Sequence, residues 1–126
     1  MTRTGLAADA YRHLGTLYLD AGDMAKSAEF FTSAFKVRPN FPEAHHDLAL
    51  IYIRTQQLDK ALAELQTSLQ QRPDFGPAVL NLALVYQMRN DVPSARKVLE
   101  AYLAQFGSRP SDYLGQIRDR LSKLPS

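Results

Sequence analysis

The chain contains no cysteine. That absence removes disulfides, thiolate nucleophiles and cysteine-based zinc sites together, and it fits a cytoplasmic protein. Long apolar runs are missing too. None approaches the roughly 18 residues that a membrane span needs, so no membrane insertion is expected. The opening stretch, MTRTGLAADA, lacks the long apolar core of a secretory signal. Glycine is sparse, and Gly22 and Gly107 stand alone, so no glycine-rich phosphate cradle is expected. Charge of one sign is scarce as well: the net charge is +2. Residues 1–95 carry 9 basic and 10 acidic side chains, and residues 96–126 carry 6 and 3. This mildly basic tail could meet an acidic partner, but it is not the concentrated basic stripe of a nucleic-acid binder.

Catalytic constellations are equally hard to find. Ser27, Ser33, Ser68 and Ser94 fall in helix-packing or capping contexts, with no histidine in register to activate them. His45 and His46 are adjacent, and helical neighbours point about 100° apart, so the two cannot easily chelate one ion. His45 is expected to be core or half-buried. Asp20 and Asp23 flank a turn and read as solvated or helix-capping residues. No catalytic residue, no metal site and no cofactor is expected.

What the chain does have is repetition. Its 126 residues suit one domain, with 45% hydrophobic and 22% charged residues. VRPNFPEAHHDLALIY, residues 37–52, returns as QRPDFGPAVLNLALVY, residues 71–86. A shift of 34 residues aligns Ala10, Ala44 and Ala78; Leu14, Leu48 and Leu82; Gly15, Ala49 and Ala83; and Tyr18, Tyr52 and Tyr86. Phe31, Leu65 and Leu99 form a later column, and Pro39 and Pro73 close the first two units. Apolar residues recur at three and four positions, the spacing of a helix face. Small residues beside them allow a second helix to approach closely, and short polar turns (AGDM, QQLD, RNDV) separate the helices. Pro93 falls in a first helical turn, where its missing N–H costs little. The pattern predicts helices near 7–20, 24–37, 42–55, 58–71, 76–89 and 92–106, with a seventh at about 111–123. Tyr113, Leu114, Ile117, Leu121 and Leu124 give the seventh an apolar side, opposite Arg118, Asp119, Arg120 and Lys123.

These residues resemble the tetratricopeptide repeat (TPR) family. The first unit matches at Tyr11, Leu14, Gly15, Tyr18, Gly22, Phe31, Ala34 and Pro39, with Ser27 where the family has Ala. The second matches at Leu48, Ala49, Tyr52, Ala61, Leu65 and Pro73, with His45 at an aromatic position and Ser68 at the second Ala. The third matches at Leu82, Ala83, Tyr86, Ala95 and Leu99, and departs at Val79, Tyr102 and Gly107. The resemblance implies an all-α fold: a right-handed superhelix, or TPR solenoid. It has three helix–turn–helix repeats (about 8–41, 42–75 and 76–109) and a capping helix at 110–124, forming a single domain over 1–126. It also implies that first helices line a concave groove that takes an extended peptide or a partner's helix, without catalysis.

The residues opposite the Leu/Tyr columns are the candidate partner-binding set. They are Arg12, His13, Thr16 and Leu19; His46, Asp47, Leu50, Ile53 and Arg54; and Leu80, Asn81, Leu84, Gln87 and Met88. Leu50, Ile53, Leu80, Leu84 and Met88 form an apolar floor, which suits an amphipathic or apolar partner segment. Arg12, His46, Arg54 and Asn81 are expected to orient it. Chaperone-binding relatives grip an acidic C-terminal tail with Lys, Asn and Arg. Here Thr16, Asp47, Pro77 and Asn81 stand where most of that clamp would be, which argues against such a ligand. The alternative to an adaptor is a self-assembling scaffold, a homo-oligomer built through the groove or through an open first helix carrying Leu6 and Leu17.

Overall fold

The computed structural model describes residues 3–126, with side chains from Leu6 onward. Seven helices make up the described chain: α1 (Arg3–Asp20), α2 (Met24–Val37), α3 (Pro42–Arg54), α4 (Leu58–Gln71), α5 (Gly76–Met88), α6 (Val92–Phe106) and α7 (Leu114–Ser122). There is no strand among the described residues. α1 pairs with α2, α3 with α4 and α5 with α6. Each second helix then packs on the next first helix, and the first helices touch one another in sequence.

The hairpin turns share one chemistry. Gly22, Gln56 and Asn90 all have left-handed φ, at 85°, 61° and 60°, and they sit 34 residues apart. In each turn the following N–H reaches back to the tyrosine carbonyl: Asp23 to Tyr18 at 2.9 Å, Gln57 to Tyr52 at 2.8 Å, and Asp91 to Tyr86 at 2.8 Å. This is the Schellman closure of a helix C-terminus, and it needs the left-handed residue. Two of the turns then start the next helix with an aspartate cap. The Asp23 carboxylate accepts from Lys26 N–H at 3.1 Å, and the Asp91 carboxylate from Ser94 N–H at 3.2 Å. The hydroxyl and N–H of Ser94 hold the Asp91 carboxyl below its ordinary pKa, since both hydrogen bonds favour the charged form. Pro42, Pro77 and Pro93 occupy first turns of helices, where no N–H is lost from the ladder.

Packing inside the hairpins follows the small-residue columns. A Cβ on Gly15 would lie 2.7 Å from the Phe31 ring, so α1 and α2 meet where only glycine fits. Ser27 replaces an alanine of the pattern, and its buried hydroxyl donates to the Gly15 carbonyl at 2.6 Å. Ser68 does the same toward the Pro42 carbonyl at 2.8 Å. Both polar groups are therefore satisfied, as buried hydroxyls must be. The core runs as a chain of clusters. One centres on Phe31, Ala34, Phe41 and Ile51, the next on Leu65, Leu82 and Val85, and the last on Leu99, Phe106, Leu114 and Ile117. α7 closes this last cluster by laying Leu114 and Ile117 on α5 and α6, and Leu124 just beyond it joins them. Tyr102, too large for its column, lies buried beside Phe106 and donates its hydroxyl to the Asp74 carbonyl at 2.8 Å.

The repeated Arg-Pro-x-Phe segment ties the end of each of the first two units back to the start of its own first helix. Arg38 stacks over Phe41 at 4.5 Å and pairs with Asp9 at 3.0 Å. Arg72 stacks over Phe75 at 4.9 Å and pairs with Glu43 at 2.9 Å. Asp9 and Glu43 occupy one column of the repeat. In the third unit both partners change together: Phe106 stands in the arginine column and Pro77 in the acidic one.

Candidate partner-binding face

The face shared by α1, α3 and α5 carries a polar chain that crosses all three helices. Arg12 Nε donates to Asp47 Oδ2 at 2.8 Å. The other oxygen of Asp47 lies 3.2 Å from Nδ1 of His46, and Nε2 of His46 lies 2.8 Å from the Asn81 amide nitrogen. The neutral imidazole with its proton on Nδ1 satisfies every member: it donates to Asp47 and accepts from Asn81. His46 also meets the Phe75 ring edge-on at 5.5 Å. Further along, Arg54 donates to the Leu19 carbonyl at 2.9 Å and so caps the C-terminal turn of α1. Three of these links (12–47, 46–81 and 19–54) join residues 35 apart, one more than the repeat period.

This geometry gives several of the residues expected at the binding face partners within the protein. Arg12, His46, Arg54 and Asn81 were expected to orient a partner; they are bonded to protein groups and brace the repeats. Asp47 is buried and shared between Arg12 and His46. Leu19, expected on the open face, is only 3% exposed and belongs to the first core cluster, because its side chain turns toward the hairpin core. Leu80 is 9% exposed and joins the last cluster with α7. Thr16 returns its hydroxyl to the Arg12 carbonyl at 3.1 Å. His13 is exposed, whereas Leu50, Ile53, Leu84 and Gln87 are half-buried. Met88 is 36% exposed. An apolar strip from Leu50 and Ile53 to Leu84 and Met88 therefore remains partly open beside a polar chain whose members bond to one another.

His45 is half-buried. Its ring stacks on Phe35 at 4.2 Å, with Nδ1 2.7 Å from Glu64. His45 and His46 thus belong to separate hydrogen-bonding sets.

The structure adds residues of the last helix: Asp119, Arg120 and Lys123, expected only on its polar side, and Gln116, which carried no expectation. A cavity of about 380 Å³ lies between α5 and α7, lined by Leu80, Gln87, Gln116, Asp119, Arg120 and Lys123. Gln116, Arg120 and Lys123 recur at helical spacing and point to the same side as Leu80 and Gln87. That spacing was the available signal, but only the packing of Ile117 decides which way the helix is turned.

Helical hairpins stacked in line, with their first helices sharing one face, define an α-helical repeat solenoid. The sequence profile of the tetratricopeptide repeat family matches residues 18–75 and 57–115. The chain belongs to that family. Among solved structures it is similar to the N-terminal domain of stress-induced protein-1 (STI-1) from C. elegans, with 16% identity and a TM-score of 0.78; the match covers 98% of this chain and 100% of that one. It is also similar to the TPR2B domain of yeast Sti1, solved in a pHsp70 complex, with 18% identity, a TM-score of 0.77 and coverage of 94% and 98%. The first TPR of Spaghetti (RPAP3), bound to the HSP90 peptide SRMEEVD, is similar at 16% identity and a TM-score of 0.74, covering 94% of this chain and 98% of that one. No curated protein matches the sequence. Among the described residues no helix is long and apolar enough to cross a membrane.

Proposed function

We propose that the chain is a non-catalytic, cytoplasmic interaction module that holds a peptide or helix of a partner protein against the face formed by α1, α3 and α5. The observation that carries this reading is the partly open strip of Leu50, Ile53, Leu84 and Met88. The polar groups around it are largely taken up by one another, so apolar burial is the driving force left for binding. Each fully buried anchor contributes about 1.5–3 kcal/mol. Three of them, less the cost of association, give roughly micromolar affinity. The peptide complexes of the Spaghetti and Sti1 domains support a peptide-holding use of the fold. They do not transfer their ligands here. Arg12, which could supply one clamp cation, is held by Asp47, and Thr16, Pro77 and Asn81 offer no charge at the other clamp positions. The neighbours add no support to the self-assembly reading.

The test is a peptide array probed with the native protein and with Leu84→Asp, each checked for folding by circular dichroism. Native protein should retain apolar or amphipathic peptides, and Leu84→Asp should weaken them by at least about tenfold, since a carboxylate would have to be buried without a partner. Unchanged binding by a folded Leu84→Asp protein would remove this face from the function.

A further inference from the structure

The last unit of the solenoid differs in charge from the first two. Residues 96–126 carry 6 basic and 3 acidic side chains, against 9 and 10 in residues 1–95. α7 brings part of that excess to the mouth of the apolar face. In the cavity between α5 and α7, Lys123 is paired with Asp119 at 3.0 Å. Arg120 has no ion pair among the described residues, although it is partly buried and its neighbours in the wall are Leu80 and Gln87. A half-buried guanidinium is a strong binding site for one carboxylate, because screening by water is reduced and the planar fork can donate to both oxygens. On the same helix Leu84 lies one turn beyond Leu80, and Met88 one turn beyond Leu84.

We infer that the α5–α7 end of this face reads an acidic side chain: the partner segment seats an apolar residue on Leu84 and Met88 and places an adjacent Asp or Glu against Arg120. This rests on the proposed binding face and names the chemistry of what it binds. A side chain suits the site better than a chain terminus. The wall offers a single uncommitted cation, and the Asp119 carboxylate in the same cavity opposes a second negative charge. The match is one of charge complementarity, so it governs selection among apolar partners.

Fluorescence anisotropy with synthetic capped peptides tests it. The peptides share one Leu-rich core and differ only in their flanks: Glu, Lys or Gln, with a further Gln-flanked peptide left with a free C-terminal carboxylate. The Glu-flanked peptide should bind about tenfold more tightly than the Lys-flanked one, and the preference should shrink as salt is raised. Arg120→Glu should abolish or invert it, while Arg120→Lys, which keeps the charge but not the fork, should keep only part of it, both at unchanged melting temperature. Equal binding of all flanks would overturn the inference and leave the binding face intact. So would a Glu preference that survives Arg120→Glu, or tight binding confined to the free-carboxylate peptide. If no peptide binds, the face itself is refuted and this inference falls with it.

Discussion

Each hairpin turn asks one residue to enter the left-handed region, and the three units meet that demand differently. Glycine does so freely at position 22, and asparagine tolerates it at position 90. Gln56 carries a full side chain at φ 61°, a conformation that costs an ordinary residue roughly 1 kcal/mol or more. Gln56 is exposed, and its N–H bonds the Ile53 carbonyl at 3.1 Å whatever the side chain. Gln56→Gly should therefore stabilise the protein by roughly 1 kcal/mol, net of the entropy that glycine adds to the unfolded chain. Thermal denaturation should show a rise of about 3–5 °C. A drop in melting temperature would mean that the Gln56 side chain contributes something its exposure hides.

At the scale of the helix, one repeat position has two fates. Leu17, Ile51 and Val85 share a column on the first helices. Ile51 is 4% exposed and Val85 is 0% exposed, each covered by the second helix of the preceding unit. Leu17 is 51% exposed, since no helix among the described residues precedes α1. Burial here comes from the neighbour rather than the residue type. Leu17→Ala should then change stability by no more than about 0.5 kcal/mol, whereas Ile51→Ala should cost about 2–5 kcal/mol in chemical denaturation. Comparable losses at both positions would show that α1 is covered in solution. The same contrast explains what was legible in advance. Column residues such as Leu48, Ala61 and Phe31 announce the hairpins, and five of the first six helix ranges expected from periodicity fall within a residue of the observed ones, α1 alone starting earlier. The seventh starts later than expected, at Leu114 rather than 111, with Tyr113 at its N-cap packed onto Gly76, where a Cβ would lie 2.7 Å from the tyrosine side chain. The bonding of the face was not legible from the repeat alone. The cross-helix pairs fall at an offset of 35, which follows from how each unit is displaced against the last, and a column alignment at 34 looks past them.

Across the whole molecule, the stack behaves as a row in which each unit meets only its neighbours, so stability is a sum of local terms and interfaces. The Arg12–Asp47–His46–Asn81 chain spans both interfaces, and Asp47 is its bridge, bonded to α1 on one side and to His46 on the other. Asp47→Ala leaves Arg12 without its partner and frees His46 Nδ1 from its acceptor. The Arg12 side chain is 38% exposed and can turn to water, which moderates the loss to about 1–2 kcal/mol. In a globule of uniform cooperativity that loss would be felt everywhere. In this row it should fall on the first hairpin, which is held to the rest by one interface only, whereas the last hairpin keeps α7 packed against it. Native-state hydrogen exchange should therefore show faster exchange in α1 and α2 of Asp47→Ala, with α5 and α6 nearly unchanged. A uniform rise across all helices would mean that the units unfold together and that the polar chain stabilises the molecule as a whole.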